Sequence, residues 1–318
     1  MDLFEYYKNC RLCPRDCGVN RTNGKESNHL GLCGETHELR VAYVGPHFGE
    51  EPPISGKNGS GTVFFSGCSL KCSFCQNYQI THQGLGVSTG LGQLMQKLKK
   101  MIHVHQVHNI NFVTPDHFFP HVFRLVSVLR DSGLDLPIVY NLSGYQSVAL
   151  LKIAGDYNDI YLPDYKYSEP SLAAGLSRCP DYPQKAIEAI YEMVRQKGFL
   201  DTCSKDNEIA RRGVLVRHLI LPGKVKNSID ALTSLFVEFG SGLPVSLMSQ
   251  YHPVLRQKDR DLNRFISSDE FERVYSHAMD LGFENLFIQF PDKGAGCRVG
   301  NFPFLPDFRR TEPFSPLE

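Results

Sequence analysis

From residue 62 onward the chain alternates between short apolar runs and longer stretches with apolar residues at helical spacing. The short runs read as strands over 62–66, 110–114, 137–141, 159–163, 214–220, 244–248 and 285–289, each the length of a buried strand. Between them, 183–197 carries Ala186, Ile187, Ile190, Tyr191 and Val194 in one stripe. A second stripe, over 268–281, carries Phe271, Val274, Tyr275, Ala278 and Met279. Such stripes mark helices with one buried face. Ser267 with Glu270 three residues on resembles a capping box at the second helix's start. Strands alternating with helices imply parallel βαβ units. The fold class expected is α/β, a partial (βα)6-type barrel over 62–290, preceded by a small Cys-rich metal-binding segment and connecting Gly/Pro-rich loop over 1–61. The tail over 291–318, with Pro303, Pro306, Pro313 and Pro316, reads as an irregular surface segment or a lid.

At 318 residues the chain is long enough to bury a large core. Its 34 basic and 34 acidic residues balance, which argues against a nucleic-acid partner or an anionic membrane surface. No apolar run approaches the ~20 residues of a membrane-spanning helix. The start, Met1-Asp2-Leu3-Phe4-Glu5-Tyr6, lacks the basic region and apolar core of a secretory signal, so the expected location is cytoplasmic. Ten cysteines in a reducing compartment point to metal or redox chemistry, and seven of them fall within the first 75 residues.

Cys68, Cys72 and Cys75 form a C-x3-C-x2-C group on the loop leaving the strand 62–66. Strand C-terminal ends are where barrel and open α/β folds place their sites. A [4Fe–4S] cube normally takes four thiolates, so three leave one iron open to a small chelating molecule. Zinc sites more often use separated C-x2-C pairs. Cys10, Cys13, Cys17 and Cys33 form a second, four-ligand set. It has no open position, so it is expected to be structural or electron-carrying, with zinc preferred over a second iron–sulfur cluster.

Other strand ends add polar residues. Asp164 and Lys166 stand two apart after 159–163 and are placed to meet a zwitterionic or carboxylate-bearing cofactor; a loop salt bridge is the plainer reading. Arg217 lies within a β run, where a charge is paired or functional. His252 follows the strand 244–248; a structural role is the plainer reading for a lone histidine. Asn141 and Ser143, with Tyr145, are placed to hydrogen-bond a ribose or to cap a helix. Glu50 and Glu51 read as solvated loop carboxylates. His103, His105 and His108 read as a helix end. Of the isolated Cys179, Cys203 and Cys297, only Cys297 reads as a reactive thiol.

The cysteine group, with Phe74 before its last member, resembles the signature of the radical S-adenosylmethionine (SAM) enzymes. That resemblance implies that SAM chelates the open iron and is cleaved reductively to a 5′-deoxyadenosyl radical, which takes hydrogen from a substrate. Asp164/Lys166, Arg217 followed by Pro222-Gly223, and His252 resemble, in order, motifs of the branch related to pyruvate formate-lyase activating enzyme. The head Cys10-x2-Cys13-Pro14-Arg15-x-Cys17-Gly18 and the loop from His47 to Gly56 are similar to its PflX-like subgroup. The resemblance implies that these four polar residues lie near SAM, with Lys166 and Arg217 toward its carboxylate. It implies flavodoxin or ferredoxin as electron donor and a protein substrate, a glycyl radical enzyme. The alternatives are radical modification of a peptide or small molecule, and a non-catalytic iron–sulfur or zinc protein. Two departures stand out. Where many relatives carry Gly-Gly-Glu, this chain reads Val113-Thr114-Pro115-Asp116-His117, leaving Thr114 and Asp116 as substitutes toward the SAM amine. No ferredoxin insert follows Cys75.

Overall fold

The computed structural model describes residues 2–23, 30–203 and 208–291, with 298–299, 302–303 and Pro313. Its strands are β1 (Arg40–His47), β2 (Ser60–Phe65), β3 (Val87–Ser88), β4 (Ile110–Val113), β5 (Ile138–Leu142), β6 (Ile160–Pro163), β7 (Gly213–Val214), β8 (Val216–Leu219), β9 (Val245–Met248) and β10 (Leu286–Gln289). The helices are α1 (Pro52–Ser55), α2 (Tyr78–Thr81), α3 (Leu91–His105), α4 (Phe119–Asp131), α5 (Val148–Ala154), α6 (Pro170–Ser177), α7 (Tyr182–Lys197), α8 (Val225–Phe239) and α9 (Ser268–Leu281). Of the expected tail, the described part is one short antiparallel pair, β11 (Arg298–Val299) with β12 (Phe302–Pro303). Cys297 lies outside the described residues.

The strand order is β3-β1-β2-β4-β5-β6-β7 in one sheet and β8-β9-β10 in another. From β2 to β7 every neighbour is parallel, as are β8, β9 and β10. A lone parallel bridge between Asp164 and Arg217 joins the two sheets. The Leu215 amide still donates to the Tyr161 carbonyl at 3.1 Å, and the Tyr165 amide to that of Arg217 at 2.8 Å. The sheets are thus one curved wall with a kink at Leu215. In β2, β4 and β6 every residue is buried, as parallel strands covered on both faces require. The mixed α/β fold with a parallel sheet expected from the alternating pattern is therefore present, and each expected strand appears within two residues.

Two features differ from the sequence reading, and one agrees with it. The Gly/Pro-rich segment before residue 62 contains β1, which pairs antiparallel with β2 from Val41↔Phe65 to His47↔Ser60, with a bulge between Val41 and Tyr43. Pro46 and Gly45 hid it, since both are poor strand formers, tolerable here near a sheet edge. The capping box at Ser267 and Glu270 forms. Tyr191 and Met279, however, are 62% and 51% exposed, because the stripes of α7 and α9 are narrower than their apolar residues.

Candidate functional site

β2 ends at Phe65, and the chain turns sharply to present the cysteines. Gly67 sits at φ +79°, and a Cβ there would come within 2.8 Å of the Cys33 carbonyl oxygen, so only glycine fits. Lys71 adopts φ +46°, and the Cys75 amide donates to the Cys72 carbonyl at 3.1 Å. All three cysteines are free; Cys68 and Cys72 are buried, Cys75 half-buried. The Leu70 amide donates to Cys68 Sγ and the Thr81 hydroxyl to Cys75 Sγ, both at 3.4 Å. Burial pushes the Cys75 thiol up to about 11, with the Cys72 charge adding to it and Lys166 opposing it. Burial, then Asp116, Cys72 and Cys75, raise Cys68 as well. Any metal binding here must therefore displace tightly held protons.

Among the described residues no three of His, Cys, Asp and Glu converge closely enough to share one metal ion. A cube does not ask for that convergence, because each iron takes its own thiolate. Three thiols on one loop, with N–H and O–H donors on two of the sulfurs, fit such a cluster with three protein ligands.

The N-terminal head wraps the back of this loop. Arg15 donates to the carbonyls of Ser69 (3.0 Å), Leu70 (3.4 Å), Ser177 (2.7 Å) and Arg178 (2.5 Å). Arg21, 2% exposed, donates to the carbonyls of His117, Thr36 and Glu35 and to Cys10 Sγ at 3.9 Å. Its guanidinium lies 4.7 Å from the Tyr7 ring centre. Gly31 lies between the Cys17 and Cys33 sulfurs, 3.2 and 3.7 Å from where its Cβ would be. Cys13 is raised by burial, then by Asp116, with charges on Cys33 and Cys10 adding to the effect. The head is therefore packed into the barrel mouth rather than tethered to it.

Asp116 is wholly buried behind the loop and accepts from Ser69 Oγ at 3.0 Å; its second oxygen has no partner. Burial raises its carboxyl to about 6. Thr114 sits at φ +55°, strained for a β-branched residue, with its amide donating to the Asn141 carbonyl at 2.9 Å.

Inside the barrel a polar network crosses four strands. Arg217 on β8 donates to Glu50 (2.9 Å), Asp164 (3.3 Å) and Asn141 (2.5 Å). Lys166 Nζ pairs with the other Asp164 oxygen at 2.5 Å. Asn111 and Asn141 donate to Glu50 Oε1 at 2.9 and 3.3 Å. Burial opposes the charge on Arg217, but Asp164, Glu50 and Glu51 outweigh it and raise its pKa. Against burial, Lys166 and Arg217 hold Asp164 below the usual carboxylate range. Lys166 is raised, its burial outweighed by Asp164 and then Cys72, so it stands between this network and the cysteines.

Asn141, Asp164, Lys166 and Arg217 are thus brought together. Ser143 instead stays local, accepting from the Tyr145 amide at 3.4 Å and from Gln146 at 3.2 Å. The His252 ring packs edge-on to Phe265, 4.9 Å between centres. Glu50 and Glu51 are corrected outright. The Glu50 side chain is 6% exposed and Glu51 9%, because the turn after antiparallel β1 drives both into the barrel's N-terminal end. Burial raises the Glu51 carboxyl. Asn111 and Ser246, the latter hydrogen-bonded to Glu51, were also missed. The available signal was a lone polar residue within an apolar β4 or β9.

No family model matches the chain. It is 28% identical over 294 residues, 88% of its length and 77% of the relative's, to the uncharacterized protein MJ0674 of Methanocaldococcus jannaschii. Among solved structures it resembles HydG, a maturase of the [FeFe]-hydrogenase, at TM-score 0.50 and 10% identity over 74% of this chain and 52% of that one. It also resembles Streptococcus suis SuiB bound to S-adenosylmethionine, at TM-score 0.47 and 11% identity over 74% and 51%. The chain spans about half the length of these solved structures. The likeness to HydG is one of fold.

Proposed function

We propose that this chain is a radical SAM enzyme. The observation that carries the reading is the loop of Cys68, Cys72 and Cys75 at the C-terminal end of β2, with Lys166 in the field of Cys72. Cys68, Cys72 and Cys75 would hold a [4Fe–4S] cluster, which would supply the electron for reductive cleavage of SAM and so the means of taking hydrogen from a substrate. The protein's part is positional. Lys166 is a buried cation in the field of Cys72 and the candidate for the SAM carboxylate; Asp164, itself paired with Arg217, holds its ammonium in place. Thr114 and Asn141, at the ends of β4 and β5, line the path from the loop into the barrel. The segment after β9 covers the loop: Gln257 donates to the Ser73 carbonyl at 2.8 Å, and Gln76 to that of Gln250 at 2.7 Å. Such a cover excludes water from a reactive intermediate.

Activation of a glycyl radical enzyme is the finer reading. It rests on the order of Asp164/Lys166, Arg217 and His252 along the chain; the His252 ring packs edge-on to Phe265. Flavodoxin or ferredoxin is the donor in this reading. Anaerobic reconstitution with iron, sulfide, dithionite and SAM tests the enzyme reading. 5′-Deoxyadenosine is expected. Its absence while cluster and SAM are both bound sinks the reading in favour of a non-catalytic iron–sulfur protein. Pull-down of a glycyl radical enzyme tests the finer one.

A further inference from the structure

The two cysteine sets touch. The Cys68 amide donates to the Cys33 carbonyl at 3.4 Å, so a single peptide hydrogen bond joins a thiol-bearing residue of one set to one of the other. Gly67 packs against the same carbonyl, beside the Glu35 side chain. On this side the head, through Arg15 on Ser69 and Leu70, stands between the Cys68 loop and solvent. Gln250 and Gln257 hold a second cover on the loop. Cys13 and Cys17 of the head are half-buried, as is Cys75, whereas Cys10, Cys33, Cys68 and Cys72 are buried. A donor protein approaching from the head side meets the head thiols first.

The chemistry at the head favours redox over structure. Zinc draws four ligands around one ion and carries no electron. Arg21 aims a cationic N–H at Cys10 Sγ, and hydrogen bonds to the sulfurs are among the features that set a cluster's potential.

We propose that Cys10, Cys13, Cys17 and Cys33 hold a second, redox-active iron–sulfur cluster, through which the reducing electron reaches the cluster of Cys68, Cys72 and Cys75. This departs from the zinc preferred on spacing, and it rests on the radical SAM reading. The step moves one electron. The donor, a low-potential one-electron carrier protein, is oxidised by one; the head cluster accepts that electron and passes it on; the Cys68 cluster is reduced by one. No bond forms or breaks and no proton moves.

The test uses the full chain, purified and reconstituted without oxygen. About eight irons per chain are expected; about four irons with one zinc overturns the proposal. Rapid-freeze EPR with reduced flavodoxin is expected to show two signals, one of them altered by SAM. The SAM-insensitive signal appears first and decays into the other; the reverse order overturns the proposal. Cys17→Ser, which keeps an oxygen ligand, is expected to retain the SAM-sensitive signal under dithionite but lose its fast phase with flavodoxin. A retained fast phase overturns the relay, and if the variant fails to fold, the order of signals in the unaltered protein decides. Four irons with a SAM-sensitive signal removes the relay and leaves the parent reading standing. Eight irons with no response to SAM removes the parent reading, and the relay with it.

Discussion

The cysteine loop and the polar network in the barrel interior are held together in opposite ways. At the cysteine end, the contacts run from side chains to backbone: Arg15 to four carbonyls, Arg21 to three, the Cys68 amide to Cys33. The thiols themselves carry few partners. In the barrel interior, Glu50, Asn141, Asp164, Lys166 and Arg217 pair side chain to side chain and neutralise one another. The first arrangement shapes a place for something else; the second leaves little charge to compensate. A site that must accept a ligand is built on backbone because backbone groups stay fixed when the side chains change partners.

Four substitutions separate the two regions, taken from the largest expected effect. Cys72→Ala is expected to abolish 5′-deoxyadenosine formation and cluster absorbance while circular dichroism keeps the α/β signature; a loss of fold would mean that the cysteine end also holds the barrel together. Arg217→Met leaves buried carboxylates without their cation and is expected to cost roughly 3–5 kcal/mol in urea unfolding. A cost near zero would show the network to be dispensable. Glu50→Gln keeps the shape and removes one charge partner of Arg217, for a loss of about 1.5–3 kcal/mol.

Glu51→Gln is the smallest, below about 1 kcal/mol near neutral pH, since one Glu51 oxygen has no partner. It carries a pH signature. The Glu51 carboxyl is raised above its ordinary 4.5 by burial, so its contribution is fully present below pH 4.5 and is lost as pH rises through the raised value. Unfolding free energy of the unaltered protein relative to Glu51→Gln should therefore fall with rising pH. A difference that is flat or grows would place an ionised Glu51 in the fold.

The wall of the barrel was legible because parallel strands buried on both faces write themselves as unbroken apolar runs: Val63-Phe64-Phe65, Ile110 to Val113, Ile160 to Leu162. Cys68, Cys72 and Cys75 were legible because their ligand spacing is local. β1 was not, because a strand containing Gly45 and Pro46 carries no such run. The places of Glu50 and Glu51 depended on β1: unless that strand is known to run antiparallel against β2, its following turn has no assigned end of the barrel. Asp164, Lys166 and Arg217 were picked out one at a time, but their joining needed the register Asp164↔Arg217, which sequence does not carry. His252 and Ser143 were placed by order along the chain, and order alone does not fix where a loop residue points.

Arg15 has a consequence for how the molecule comes into being. Its partner carbonyls at Ser177 and Arg178 lie 162 and 163 residues later in the chain. At synthesis rates of 5–20 residues per second, that interval is roughly 10 to 30 seconds. The first cysteines made therefore emerge from the ribosome long before the surface that encloses them exists. For that time they are open to any metal ion or oxidant at hand. Overproduction in air is expected to yield chains whose earliest-made thiols are the most heterogeneous.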